Sequence, residues 1–278
     1  MYWNDKLVED IIERAIREDI WTGDLTSGLL IPEADIGHGL IMAKEEGIVA
    51  GLAVSEKVFY QVSDEIVFEY LVTDGDKVEK DQHLAEIRGP VREILKAERI
   101  ALNFLQRLSG IATRTSRYVE AVSNYPVKIV DTRKTTPTLR VLEKYAVRVG
   151  GGYNHRMGLY DAVMIKDNHI LASGGISSAI NRVRKQLAHT TKIEIEVENI
   201  DGVREALSAG ADIIMLDNME TSEMALAVDI IDKKAIVEAS GGITLESLVE
   251  VAATGVDIIS VGALTHNIKS LDISLNLR

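Results

Sequence analysis

Leu7, Val8, Ile11, Ile12, Ala15 and Ile16 recur at helical spacing with charged residues between them. The chain is therefore predicted to start with an amphipathic helix whose apolar stripe needs a partner surface. From residue 38 to 88 the period shortens. Runs such as IVFEYLV and QHLAEIRG predict short strands, TDGDKV with its Asp74-Gly75 pair predicts a tight turn, and one helix is expected near residues 53–62. A long helical pattern then covers residues 91–124 and links two domains, with a bend or interruption expected at Ser109 and Gly110.

Beyond residue 124 strands and helices alternate. VKIV near 127, AVMI near 162, IEIEV near 193, IIML near 213, AIVEA near 235 and IISV near 258 read as buried strands. Helix signals fall between them: Thr136 before Pro137 marks a start, Ile176, Ala179, Ile180, Val183 and Leu187 form a stripe, and Gly210 and Gly255 mark stops. AGADIIMLDN and TGVDIISVGA repeat one plan, a helix stop followed by Asp and a buried strand, as repeated units of a barrel do. Polar residues end nearly every strand: Arg133, Lys166, Glu196 or Glu198, Asp217, Ser240 and Gly262. In a parallel α/β barrel such ends converge on one face. Six strands are readable, so the pattern does not establish closure with eight.

Composition narrows the chemistry. The 278 residues are 46% hydrophobic, enough for two domains or one large barrel, and no window nears the roughly 18 consecutive apolar residues that cross a membrane. The opening MYWNDKLVEDIIE lacks a leader pattern, so a soluble cytoplasmic protein is expected. With no cysteine, catalysis must use Lys, Arg, His, carboxylates or hydroxyls. A net charge of −12 argues against nucleic-acid or anionic-membrane partners.

Against that acidic background, Asp131 to His169 carries seven Lys/Arg and four carboxylates, a charge of +3 that leaves −15 for the rest. Converging cations favour a small polyanion, because a unit-charge contact at 4 Å is worth roughly 4 kcal/mol at an effective dielectric near 20. Arg133, Lys134, His155, Arg156 and Lys166 form this cationic half, suited to a ligand with more than one anionic group. Glu196 and Asp217 end neighbouring strands and suit a hard divalent metal carrying phosphate oxygens, or else a structural pairing with Lys166 or Arg156. Ser240, Gly241, Gly242 and Gly262 stand where barrels hold phosphate, or serve plain turns. Arg99 shares helical spacing with Leu95 and Leu102, so it is expected to be buried and in need of a partner, Glu98 or a neighbouring site.

Together DTRKTTPTLR, EKYAVRVGGGYNHRMGLYDAVMIKDNH, EVEN, IIMLDN, EASGGIT and SVGALTH make the whole chain resemble the quinolinate phosphoribosyltransferase family. The resemblance implies an α/β fold: an N-terminal α/β sandwich over residues 1–110, an incomplete seven-stranded parallel barrel over 111–266, and a tail, 267–278, that packs back on the first domain. It implies that quinolinate reacts with phosphoribosyl pyrophosphate and Mg²⁺ to give nicotinate mononucleotide, pyrophosphate and CO₂, in NAD biosynthesis. Arg133, His155, Arg156 and Lys166 would hold the quinolinate carboxylates, with Arg99 reaching in from the other subunit of a homodimer. Lys134, Glu196 and Asp217 would handle phosphoribosyl pyrophosphate and the metal, and Ser240, Gly241 and Gly262 its 5′-phosphate. Thr138 departs from the family's usual Gly, and little consequence is expected at a helix start. The rival readings are a Schiff-base lyase using Lys166, a paralogue that takes another acid, and a non-catalytic metabolite-binding protein.

Overall fold

A computed structural model describes residues 5–278. The chain forms α1 (Asp5–Asp19), α2 (Leu25–Leu30), β1 (Ile36–Ala43), β2 (Gly47–Ile48), α3 (Leu52–Val62), β3 (Val67–Tyr70), β4 (Lys77–Val78), β5 (His83–Pro90) and α4 (Val91–Ala121). There follow β6 (Lys128–Val130), α5 (Arg140–Val149), β7 (Val163–Ile165), α6 (Asp167–Ser173), α7 (Ile176–Arg184) and β8 (Ile193–Val197). The chain continues through α8 (Ile200–Ser208), β9 (Ile213–Asp217), α9 (Thr221–Ile231), β10 (Ile236–Ser240), α10 (Leu248–Ala253), β11 (Ile258–Ser260), α11 (Ala263–His266) and β12 (Ile273–Leu277).

Two compact units result. One runs to Ser116 and takes in Thr135–Gly151 and Leu264–Arg278, and the other comprises Arg117–Lys134 and Gly152–Ala263. Residues 135–151, read from the sequence as part of the barrel domain, thus group with the first unit. Buried Glu143 explains this, since it accepts hydrogen bonds from Arg107 of α4 at 2.7 and 3.0 Å and from Thr136 N at 3.1 Å. Gly150 lies so close to α4 that an added Cβ would stand 2.4 Å from Ala112 O.

In the first unit β12, β1, β5 and β3 form an antiparallel sheet in that order, so the C-terminal tail does return to this unit. α1 buries Val8, Ile11 and Ile12 as the spacing predicts. α4 runs unbroken, contrary to the expected interruption at Ser109 and Gly110. Ser109 instead spends its hydroxyl on Ala50 N and O, and Gly110 admits the Lys269 carbonyl oxygen to within 2.3 Å of where a Cβ would sit. Those small residues serve close packing, which local propensity does not distinguish from a break. Arg99 is a second correction: it is exposed, because the buried stripe follows Ile94, Ala97, Ala101, Leu105 and Leu108, leaving Arg99 and Asn103 outward. α5 starts at Arg140 rather than at Thr136, after a turn in which Thr138 takes φ +71°. A β-branched residue is strained in that left-handed region, so the departure at Thr138 carries a cost.

In the second unit six parallel strands lie in the order β6-β11-β10-β9-β8-β7. All six match the runs read from the sequence. Tyr153 adds a parallel bridge to Val130, its N–H donating to Ile129 O at 2.8 Å and its carbonyl accepting from Asp131 N at 3.1 Å, which supplies a seventh position too short to register as a strand. The repeated plan has a physical reason. Asp212 accepts from Ile193 N at 2.7 Å and Asp257 from Val237 N at 2.8 Å, so each aspartate ties the start of its own strand to that of a neighbour.

Candidate active site

Parallel register and the two-residue period of a strand place the C-terminal ends β7 to β11 side by side. Ser240 pairs with Asp217, and Val197 with Leu216, which brings Glu196, Asp217 and Ser240 onto one rim. Glu198, the alternative to Glu196, lies past the end of β8 and is exposed. Lys166, the residue before α6, donates from Nζ to Glu196 Oε1, and its backbone N–H donates to His169 Nδ1 at 3.0 Å. Asp217 Oδ2 accepts from Asn218 Nδ2 at 3.0 Å. Asn218 is left-handed, with φ +54°, and an added Cβ on Gly241 would stand 2.3 Å from its Oδ1. Gly241 is therefore required by its neighbour as well as suited to an approaching anion. Gly262 follows β11 and immediately precedes α11.

The cationic side is built on connections. Asp131, fully buried at the end of β6, accepts from His155 N at 2.9 Å and Asn154 Nδ2 at 2.6 Å, pinning the segment that carries His155 and Arg156. Asp161 closes the following loop by accepting from Met157 N at 2.6 Å and Gly158 N at 2.9 Å. Arg156 donates to Ala162 O at 3.1 Å and reaches Met164 Sδ at 3.6 Å, while its buried Nε–H has no acceptor among the described residues. Burial, then the charge of Arg133, pulls the Arg156 guanidinium below its ordinary range, against the opposing pull of Glu194, Asp161 and Glu196. An arriving anion would relieve both effects.

His155 is committed within the protein. Its Nδ1 accepts from Arg156 N at 2.7 Å, and its Nε2 faces Glu194 Oε1 at 3.2 Å and Glu238 Oε1 at 3.5 Å. Of the seven cations in the basic segment, Arg133, Lys134, Arg156 and Lys166 fall in the second unit, with Arg133 and Lys134 exposed. Arg140, Lys144 and Arg148 fall in the first, as does Arg99. Sequence reasoning missed Asp131, Glu194, Glu238 and Asn218. The available signal was a glutamate inside IEIEV and another inside AIVEA, acidic residues in strands otherwise apolar enough to be buried on both faces.

Glu196 and Asp217 each commit one oxygen as described. Two hard carboxylates on adjacent strands suit Mg²⁺ sharing its shell with phosphate oxygens and water. Lys166 is ion-paired, whereas a Schiff-base nucleophile needs a free amine.

Residues 24–109 and 111–276 match the family models described as quinolinate phosphoribosyl transferase, N-terminal domain and C-terminal domain. The chain is 46% identical over 274 residues to a Bacillus subtilis (strain 168) protein named probable nicotinate-nucleotide pyrophosphorylase (carboxylating), covering 99% of this chain and 94% of that one. It is 43% identical over 289 residues to quinolinate phosphoribosyltransferase (decarboxylating) 1b of Nicotiana tabacum, covering 97% and 82%. Among solved structures it is similar to the nicotinate-nucleotide pyrophosphorylase from Francisella tularensis, with TM-score 0.95, 42% identity and coverage of 99% and 98%. The Ehrlichia chaffeensis nicotinate-nucleotide pyrophosphorylase gives TM-score 0.95 at 39% identity, with 100% of both chains covered.

Proposed function

Because the chain belongs to the quinolinate phosphoribosyltransferase family, we propose that it transfers phosphoribosyl from phosphoribosyl pyrophosphate to quinolinate and releases pyrophosphate and CO₂. The observation that carries the residue roles is the buried Nε–H of Arg156, unpartnered among the described residues, beside the charge of Arg133. Arg133, Arg156 and Lys166, with His155 beside them, hold the two ring carboxylates. Lys134, Glu196 and Asp217 handle phosphoribosyl pyrophosphate, and Ser240, Gly241 and Gly262 take its 5′-phosphate.

The chemistry follows from charge. As the bond from C1 of the ribose to pyrophosphate breaks, the sugar gains positive and the leaving group negative charge, so nearby carboxylates stabilise the first and Lys134 the second. Glu196 and Asp217 would hold Mg²⁺, which when bound neutralises pyrophosphate oxygens. The ring nitrogen forms the new bond to C1. The positive ring nitrogen then stabilises the electron pair left on ring C2 when the 2-carboxylate departs as CO₂, and that pair takes up a proton. Transfer therefore precedes decarboxylation.

The proposal includes a homodimer to which Arg99 contributes across the interface, and a cytoplasmic location. Exposed Arg99 and the exposed apolar Leu25, Leu29 and Leu30 on α2 are surface that a partner subunit would use. Among the described residues no helix is long and apolar enough to cross a membrane. Supplying quinolinate, phosphoribosyl pyrophosphate and Mg²⁺ should yield nicotinate mononucleotide by mass, and omitting any one should abolish it. Product formed without quinolinate, or none with all three, defeats the reading. Mixing inactive Arg99→Ala and Lys166→Ala chains should restore partial activity, and no recovery after proven subunit exchange defeats the shared site.

A further inference from the structure

Beneath the cationic side lie two acids to which the reaction above assigns no role. Glu194 on β8 and Glu238 on β10 are 3% and 2% exposed, and with His155 their ligand atoms all lie within 4.8 Å of one another. Metal ligation would need a lone pair on a ring nitrogen of His155. Nδ1 uses its lone pair to accept from Arg156 N at 2.7 Å, so the ring proton belongs on Nε2, which faces Glu194 Oε1 at 3.2 Å. That is a donor facing an acceptor, and it fixes the tautomer.

The bonds form one line from the strand interior to the site. Glu194 holds His155 Nε2–H, His155 Nδ1 holds Arg156 N–H, and Arg156 carries the buried guanidinium nitrogen that has no acceptor among the described residues. Asp131 pins the same segment from the other side through His155 N at 2.9 Å. We propose that Glu194 is a positioning residue for quinolinate binding: it locks the His155 ring in one tautomer and orientation, and the ring in turn sets the backbone from which Arg156 reaches the substrate carboxylate. The inference rests on the reading of Arg156 as a quinolinate ligand. Glu238 supports it as the neighbouring acid. Burial and then the charge of Glu194 push its carboxyl up to about 7, as two close carboxylates require.

Glu194→Met keeps the length of the side chain and removes the acceptor, while Glu194→Gln keeps an acceptor oxygen and removes the charge. The methionine chain should raise the quinolinate KM roughly tenfold, the scale of one lost orienting bond, with the phosphoribosyl pyrophosphate KM within about twofold. The glutamine chain should return to within about threefold of the parent. In a His155→Ala background Glu194→Met should add nothing. Side-chain ¹⁵N NMR should report an Nε2–H tautomer for His155 in the parent and a mixture in Glu194→Met. The proposal is overturned if the methionine chain keeps both tautomer and KM, if the glutamine chain behaves like the methionine chain, or if the Glu194 and His155 effects multiply. Arg156→Ala separates the two readings. An unchanged quinolinate KM there removes Arg156 as a ligand, while the tautomer measurement still judges Glu194.

Discussion

The two sides of this mouth are held in place by different means. Glu196, Asp217 and Ser240 stand together because β8, β9 and β10 are paired in parallel register, so backbone hydrogen bonds do the aligning. Arg133, His155 and Arg156 lie on connections outside any strand, and the segment that carries His155 and Arg156 depends on individual buried carboxylates, Asp131 and Glu194. A rim set by register tolerates change in any one side chain beneath it. One hung on buried acids does not, because removing an acid leaves unpaired donors in a low-dielectric interior.

Lys166 is where the sides meet, through its ion pair with Glu196. Lys166→Ala, or Arg133→Ala, should lower turnover at least ~10²-fold, the scale of a lost preorganised charged donor, or about 3 kcal/mol of barrier. Circular dichroism should stay native. Near-normal turnover would mean that the cationic side is scaffold rather than site, and the comparison would lose its functional meaning.

Glu238 sharpens it through pH. Its carboxyl is raised from 4.5 to about 7, burial being the largest cause. The folded chain therefore binds this proton more tightly than the unfolded chain does. The associated stability is full below about pH 4.5 and is lost as pH rises, with the loss complete above about 7. Over that window it amounts to at most about 3 kcal/mol, and Glu238→Gln should remove it. Urea unfolding at pH 5 and 7.5 measures the slope. Asn218→Ala, on the register-held side, should keep the parental slope, and equal flattening in both chains would erase the distinction.

This contrast also explains what was legible in the sequence. Strand ends follow from period and punctuation, so Lys166, Asp217, Ser240 and Gly262, with Glu196 or Glu198, could be placed from IKDNH, IIMLDN, EASGGIT, SVGALTH and EVEN. Glu194 and Glu238 fall inside apolar runs, where a strand reading absorbs them, and their partner His155 is contributed by another segment. Arg99 was misjudged because sharing helical spacing with half-buried Leu95 and buried Leu102 does not place it on the buried stripe of α4, outside which it lies beside exposed Asn103. Gly110 misled because a helix tolerates glycine wherever another backbone crosses it closely, and sequence spacing does not reveal the crossing.

On the register-held side the local fit of Gly241 can be tested by a double-mutant cycle. Gly241 has φ +95°, and an added Cβ would meet Asn218 Oδ1 at 2.3 Å and Asn218 N at 2.8 Å. Gly241→Ala should destabilise the chain by about 2 kcal/mol and raise the phosphoribosyl pyrophosphate KM. In an Asn218→Gly background about 1 kcal/mol of that cost should disappear, the remainder staying with the φ angle and the backbone nitrogen. Strict additivity would show that side-chain crowding is not what demands glycine.

The smallest expected effect concerns the turn that follows Lys134 in sequence. Thr138 sits at φ +71°. For a residue with a Cβ that conformation costs roughly 1–2 kcal/mol. Glycine there would remove the strain but add about 0.4–1 kcal/mol of unfolded-chain entropy. Thr138→Gly should therefore stabilise the chain by about 0.5–1 kcal/mol, read as a higher urea midpoint, with the quinolinate KM unchanged. Because the substitution alters backbone strain and none of the buried carboxylates, an altered quinolinate KM would show that backbone conformation also holds the cationic side. A lower midpoint would show that Thr138 makes compensating contacts worth more than its strain.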